Sequence, residues 1–148
     1  MSSPDSFTAF ADSLALTGSA FRAYIRQRLK ACSLDLTTEM TQVLRYLWAH
    51  DHVNQQEIAN AVNRDKASLT SLLDNLERRE LVERQADSHD RRNNRIVLTS
   101  KGRALEHAVA PLVQQMYAVA SQGFSEDQLR TSIAMLAQMT QNLTQAEK

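Results

Sequence analysis

Apolar residues recur at three- and four-residue steps over most of the chain, and that spacing predicts helices. From residue 7 to 31 the stripe is Phe7, Phe10/Ala11, Leu14, Gly18, Phe21, Ile25 and Leu29. Ser6 is the expected N-cap, and Arg26, Arg28 and Lys30 gather at the C-terminal end, where the helix dipole favours cations. A second helix is expected after Thr37, with Glu39 in its first turn and Met40, Val43, Leu44, Leu47 and Trp48 facing inward; His50-Asp51-His52 closes it. Asn54-Gln55-Gln56-Glu57 has the form of a capping box and opens a short helix through Val62, with Ile58, Ala59 and Val62 inward. After Asn63-Arg64, Asp65 is placed to cap a helix to about Arg79 that buries Leu69, Leu72, Leu73 and Leu76. Two short helices joined so closely read as a helix-turn-helix.

The period then changes. Leu81-Val82-Glu83-Arg84-Gln85 and Arg95-Ile96-Val97-Leu98 read as two strands, separated by the polar stretch 86–94. Hairpin loops usually take about 2–5 residues, so a longer polar loop points to use rather than mere connection. A helix-turn-helix followed by such a hairpin is a winged helix. Thr99 is placed to cap a helix from about Ser100 to Ser121, lined by Leu105, Val109, Leu112, Met116 and Val119/Ala120, with a kink expected at Pro111. Gln122-Gly123-Phe124 breaks it, and Ser125-Glu126-Asp127-Gln128 caps a last helix carrying Leu129, Ile133, Leu136, Met139 and Leu143 on one face.

The expected fold is therefore mostly α with a small β-hairpin wing, one domain over 1–148. Its winged helix-turn-helix core spans 35–103. The helices at 6–34 and 104–145 carry apolar stripes with no partner in that core, and they are expected to pair across a two-fold axis in a homodimer.

Charge refines this picture. The 148 residues hold 17 Lys+Arg and 17 Asp+Glu, yet residues 64–103 carry ten basic and seven acidic groups. Basic charge concentrated on one segment is a weak footprint for a polyanion, and on charge alone a solvated charged face is the better reading. A single cysteine excludes an internal disulfide framework and suits a reducing compartment. No apolar run reaches the roughly 18 residues of a membrane span, and the start lacks the pattern of a signal peptide. A cytoplasmic protein with no membrane partner is expected. Glycine occurs only at 18, 102 and 123, which leaves no phosphate-cradling loop or nucleophile elbow. His50 and His52 lack a third ligand at a recognisable spacing, and His107 reads as a solvated helical residue. No catalytic set, cofactor or metal site can be assembled, and an enzyme is not expected.

Over nearly its whole length, and most densely from Asn54 to Gly102, the chain resembles the MarR (multiple antibiotic resistance regulator) family of winged-helix transcription regulators. Gln56-Glu57-Ile58-Ala59, Asp65-Lys66-Ala67-Ser68-Leu69-Thr70 and Leu76-Glu77-Arg78-Arg79 resemble its helix-turn-helix. Leu81-Val82-Glu83-Arg84, Asp90-Arg91-Arg92 and Leu98-Thr99-Ser100-Lys101-Gly102 resemble its wing and the start of the next helix. One position departs: the family usually has glycine after the Leu-Glu-Arg-Arg segment, and here Glu80 stands there.

Double-stranded DNA is the implied partner, and a recognition helix reads bases mainly through its N-terminal residues. Lys66, Ser68, Thr70 and Ser71 are the expected major-groove contacts. Arg78 and Arg84 are expected to be phosphate contacts or exposed charges. Arg92 resembles the arginine of the family's Asp-x-Arg wing motif, which enters the minor groove; a narrow groove concentrates negative potential that suits a guanidinium. Asp90 could orient it through a bidentate bond. Arg91 and Arg95 are expected backbone contacts or clamp partners, and His89 a phosphate contact.

The resemblance further implies a repressor relieved by a small phenolic or aromatic acid, or by oxidation. The candidate lining for such an effector is Phe21, Tyr24, Met40, Leu44, Trp48 and Tyr117, with Arg22 or Arg45 facing its carboxylate, although these residues serve equally as core. Cys32, beside Lys30 and Arg28, is expected to be a small buried residue near the dimer core rather than a redox sensor. The alternative reading is a winged-helix module that works through protein contacts without specific DNA binding.

Overall fold

The computed structural model describes residues 4–90 and 93–146. Its elements in chain order are α1 (Pro4–Ala31), α2 (Thr38–Ala49), β1 (Val53–Asn54), α3 (Gln55–Ala61), α4 (Lys66–Arg78), β2 (Val82–Ala86), β3 (Asn94–Leu98), α5 (Ser100–Ala120) and α6 (Glu126–Ala146). The architecture is mostly helical with a small three-stranded antiparallel sheet, a winged helix-turn-helix fold. Two compact units divide the chain, residues 1–116 and residues 117–148.

Local chemistry starts most of these helices. Thr37 caps α2 by accepting from the Met40 N–H at 3.1 Å. Asn54 and Glu57 form a full capping box on α3, with bonds of 2.9 and 2.8 Å. Asp65 caps α4 through the Ser68 N–H at 2.9 Å, Thr99 caps α5 through the Gly102 N–H at 3.0 Å, and Ser125 and Gln128 cap α6 reciprocally. Ser6 is not a cap, because α1 already begins at Pro4, a residue tolerated in the first turn where its missing N–H is not needed.

Three helix ends turn through the left-handed region without glycine: Ser33 (φ 53°), Asn63 (φ 50°) and Glu80 (φ 61°). Each closes with the paired carbonyl bonds of a Schellman motif. At Glu80, for example, its N–H meets the Glu77 carbonyl at 2.9 Å and the Leu81 N–H meets the Leu76 carbonyl at 3.0 Å. The left-handed turn that the family builds with glycine is therefore kept here by glutamate.

The sheet holds one strand more than the hairpin expected from the sequence. β1 pairs with β3 (Val53 opposite Ile96), and β2 pairs with β3 from Val82–Leu98 to Ala86–Asn94, giving the order β1-β3-β2. Two residues are too few to show alternation, so β1 leaves no signature in the sequence. The hairpin loop narrows to 87–93 as both strands extend toward the tip.

Two apolar clusters organise residues 1–116. Met40, Val43, Leu44 and Leu47 of α2, Ile58 of α3, Leu69, Leu73 and Leu76 of α4, and Val82, Ile96 and Leu98 of the sheet form the core of the winged helix. Leu72 and Val62, expected inside, are half-buried at its edge. Ile25 and Leu29 of α1 pack with Val109, Val113 and Met116 of α5 in the second cluster. Trp48 borders both clusters and donates its indole N–H to the Gly102 carbonyl at 2.9 Å.

Gly102 is where the backbone allows nothing larger. A Cβ built there would lie 2.0 Å from the Leu81 carbonyl oxygen, and that carbonyl also accepts the Thr99 N–H at 3.2 Å. Cys32, expected near the dimer core, is exposed on the single chain just beyond the end of α1. Large apolar side chains remain exposed on α1 (Phe7, Leu14, Leu16), and α6 buries no residue, with Ile133, Leu136 and Leu143 open to solvent. No described helix is long and apolar enough to cross a membrane.

Two substitutions test these backbone constraints. Glu80→Gly should stabilise the chain by about 1 kcal/mol, since it removes the left-handed penalty of a side chain. Gly102→Ala should cost about 1–3 kcal/mol, because the wing root or α5 must shift. Urea unfolding of each variant reads both effects.

Candidate nucleic-acid interface

The helix-turn-helix places α4 with its apolar side in the core and its other side toward solvent. Lys66, Ser71 and Arg78 are exposed, while Ser68 and Thr70 are half-buried. Their chemistry differs from what the sequence alone suggests. The Ser68 hydroxyl donates to Asp65 at 2.6 Å, the Ser71 hydroxyl reaches the Ala67 carbonyl at 3.3 Å, and the Thr70 hydroxyl donates to the Lys66 carbonyl at 2.8 Å. Serine and threonine in a helix commonly bond back to the preceding turn in this way. The Ser68 hydroxyl and N–H also hold the Asp65 carboxyl below its ordinary pKa, keeping the cap ionised.

The wing is bolted to the recognition helix by a side chain expected to be free. Arg84 of β2 pairs with Glu77 and, at 2.6 Å, with Asp74, both on α4. Its own N–H donates to Glu77 at 3.2 Å, and only 21% of its side chain is exposed. In this structure it is a clamp between wing and helix, where the sequence suggested a phosphate contact or an exposed charge. Arg79 does similar work at the other end of the turn, bonding Asp35 at 2.7 Å and Asn75 at 3.1 Å.

Within the wing, Asp87 organises the loop. It accepts the His89 N–H at 2.9 Å and pairs with Arg95 at 3.0 Å, and Arg95 donates onward to the His52 carbonyl at 2.6 Å. The His89 N–H, with Arg95 beside it, outweighs partial desolvation and holds the Asp87 carboxyl below its ordinary value. Arg95 is thus a clamp partner, one of its two expected roles. Asp90 accepts from the Asn93 side chain at 3.0 Å, and its carbonyl accepts the Asn93 N–H at 3.0 Å, which closes the tip. Arg91 and Arg92 lie outside the described residues. His89 is exposed beside Ser88, with 2.8 Å between the ring nitrogen and the hydroxyl.

Asp51, read from the sequence only as a helix end, proves central to the frame. One carboxylate oxygen accepts the N–H groups of His52 and Leu98 at 2.9 and 3.0 Å, and the other pairs with Arg103 at 2.6 Å. Desolvation pushes its pKa up, but the Leu98 and His52 N–H groups and Arg103 together bring it below the ordinary carboxylate value. The side chain joins the end of α2 to β3 and α5.

These pairs change the meaning of the basic segment. Arg64, Arg79, Arg84, Arg95, Lys101 and Arg103 all lie within 4 Å of a carboxylate, so most of the local excess is engaged inside the fold. Among the described residues of α4, Lys66 and Arg78 are exposed cations with no ion pair.

The residues suggested for an effector divide between several surroundings. Phe21, Tyr24 and Trp48 meet at the cluster between α1 and α5, whereas Met40 and Leu44 are fully buried in the winged core. Arg45 is exposed on α2, Arg22 bonds Ser19 at 3.1 Å, and Tyr117 is exposed near the end of α5. Trp48 has its only donor engaged by Gly102. Among the described residues, the Tyr24 hydroxyl oxygen is buried without a hydrogen-bond partner, and the Arg28 guanidinium lies 5.1 Å from its ring centre. No cluster of three or more metal-ligating side chains occurs among the described residues.

Two measurements test the ionic frame. Arg84→Ala should lower stability by about 1–2 kcal/mol in urea unfolding, because it leaves two carboxylates beside one another on α4. Asp51→Asn should lose stability at neutral pH. The native pKa of Asp51 is depressed, so its contribution is present above the unfolded value near 3.8 and disappears as pH falls through and below it. The stability gap between the two chains should therefore be constant above about pH 5 and shrink on acidification.

Comparison with known proteins places this geometry. The MarR family model matches residues 36–93, the winged core itself. The structure of S. aureus MepR in complex with DNA superposes with a TM-score of 0.83 at 28% identity, covering 90% of this chain and 97% of that one. MepR in its DNA-binding conformation gives 0.82 at 29% identity, covering 90% and 98%. A MarR transcriptional regulator from Methanosarcina mazei Go1 shares the fold with a TM-score of 0.78 at 22% identity, over 94% and 99% of the two chains. With the helix-turn-helix clamped to its wing, residues 36–93 match the MarR family of winged-helix transcription regulators, and over nine-tenths of its length the chain is similar to MepR.

Proposed function

We propose that the chain is a repressor that binds a pseudo-palindromic operator as a homodimer and releases it when a small aromatic acid binds. The observation that carries the reading is the clamped head. Arg84 ties β2 to α4 through Asp74 and Glu77, so a helix exposing Lys66, Ser71 and Arg78 and a wing carrying Asp90, Arg91 and Arg92 act as one unit. In this reading Lys66 and the first turn of α4, with Ser68, Thr70 and Ser71, face the major groove. Arg78 meets phosphate, and Arg92 enters the minor groove.

Dimer formation is supported by the exposed apolar stripes of α1 and α6, which no described element of one chain covers. An effector near Tyr24 is supported by its buried, unpartnered hydroxyl, since an acceptor on a ligand would restore a bond whose absence costs about 1–3 kcal/mol. Phe21 and Trp48 offer apolar faces beside it. Such a ligand acts only by preferring a dimer whose recognition helices are mis-spaced. Cellular DNA as target makes the cytoplasm the working compartment.

Arg92→Ala should weaken specific binding by about 1–3 kcal/mol, and Lys66→Ala should weaken it while flattening the salt dependence. Titration of a labelled operator duplex at several salt concentrations measures both. Unchanged affinity and slope in both variants would favour a winged-helix module that works through protein contacts, the reading that fits the pairing of Arg64, Arg79, Arg84, Arg95 and Arg103 with carboxylates of the chain. Sedimentation equilibrium should return twice the chain mass of 16.7 kDa.

A further inference from the structure

Thr70 belongs to the turn of α4 assigned to the major groove, yet its hydroxyl is occupied on both sides. It donates to the Lys66 carbonyl at 2.8 Å and accepts the Gln55 side-chain amide at 2.5 Å. The same amide nitrogen lies 3.5 Å from the Lys66 carbonyl. Gln55 is the first residue of α3 and Lys66 the first of α4, so one side chain ties together the opening turns of both helices. The core joins these helices from the other side through Ile58, Leu69 and Leu73. Gln55, Lys66 and the wing residues Asn93 and Asn94 line a groove of about 300 Å³.

A threonine side chain has two things to offer a base edge, a hydroxyl and a methyl. With the hydroxyl held by Gln55 and Lys66, the methyl is what remains, and its partner in the major groove is the C5-methyl of thymine. Resting on the DNA-reading function above, we propose that Gln55 is a positioning residue that sets base specificity: it withdraws the Thr70 hydroxyl and makes Thr70 an apolar reader of thymine. The latch acts without touching DNA, by occupying an acceptor site of the Thr70 hydroxyl that a base donor would otherwise use. Cutting it leaves the hydroxyl donating to the Lys66 carbonyl but opens its oxygen to a donor on a base edge, which weakens the preference.

The test uses the full chain and a duplex that the unaltered chain selects from a randomised library. Each thymine of that duplex is replaced in turn by deoxyuridine, which removes only the methyl. One replacement in each half-site should weaken binding about three- to tenfold. In Gln55→Met, which keeps the length of the side chain and loses the donor, the same replacement should weaken binding less than about twofold, with the fold retained and the thermal midpoint lowered by only a few degrees. Thr70→Ser, which keeps the hydroxyl and loses the methyl, should be equally insensitive. Undiminished deoxyuridine sensitivity in Gln55→Met would overturn the proposal, as would a selected duplex with no sensitive thymine. Failure of the unaltered chain to select any sequence would overturn the DNA-reading function itself, and so is told apart from failure of the latch.

Discussion

The rest of the structure depends on how closely the backbone of Gly102 approaches the Leu81 carbonyl. Leu81 ends the turn after the recognition helix and begins the wing, while Gly102 lies in the first turn of α5. A contact that excludes even a methyl group puts wing root and α5 in one place. Other bonds converge on the same junction. Trp48 donates to Gly102, Thr99 donates to the Glu80 carbonyl at 2.6 Å, and Asp51 gathers Leu98 and Arg103. Interiors packed this tightly transmit displacement rather than absorb it. A movement of α5 is thereby a movement of the wing.

The ion pairs explain how a chain of zero net charge can work on a polyanion. Exposed pairs contribute little to stability in general, but their geometry fixes orientation. Arg84 holds wing to helix, Arg79 holds the end of α4 to the segment before α2, and Arg95 holds the wing stem to the end of α2. Among the described residues of α4, Lys66 and Arg78 remain as exposed cations outside those pairs, and discrimination between sequences is the task of base contacts rather than of phosphate attraction. A regulator that must ignore most of a genome is served by that division.

What could be read in the sequence was local. The caps at Thr37, Asn54, Asp65, Thr99 and Ser125 lie within three residues of the groups they bond, and each acts as its spacing implies. The apolar period located every helix. Contacts between distant positions were not legible. Arg84 finds Asp74 ten residues back, Arg79 finds Asp35 across 44, and Arg103 finds Asp51 across 52. The same holds at the recognition helix. The residue types of Ser68 and Thr70 suggested base contacts, while their hydroxyls are engaged by neighbours that only the fold, or a back-bonding habit of helical hydroxyls, reveals.

Sequence-selective reading by a clamped head is tested most directly by fluorescence anisotropy with the duplex just upstream of the chain's own coding region. The titration runs against excess random duplex at two salt concentrations. Binding that survives the competitor, with an affinity gap between the two DNAs that persists as salt rises, is the expected result. Binding that is equally weak on both and vanishes together with added salt would reflect backbone attraction alone and contradict it.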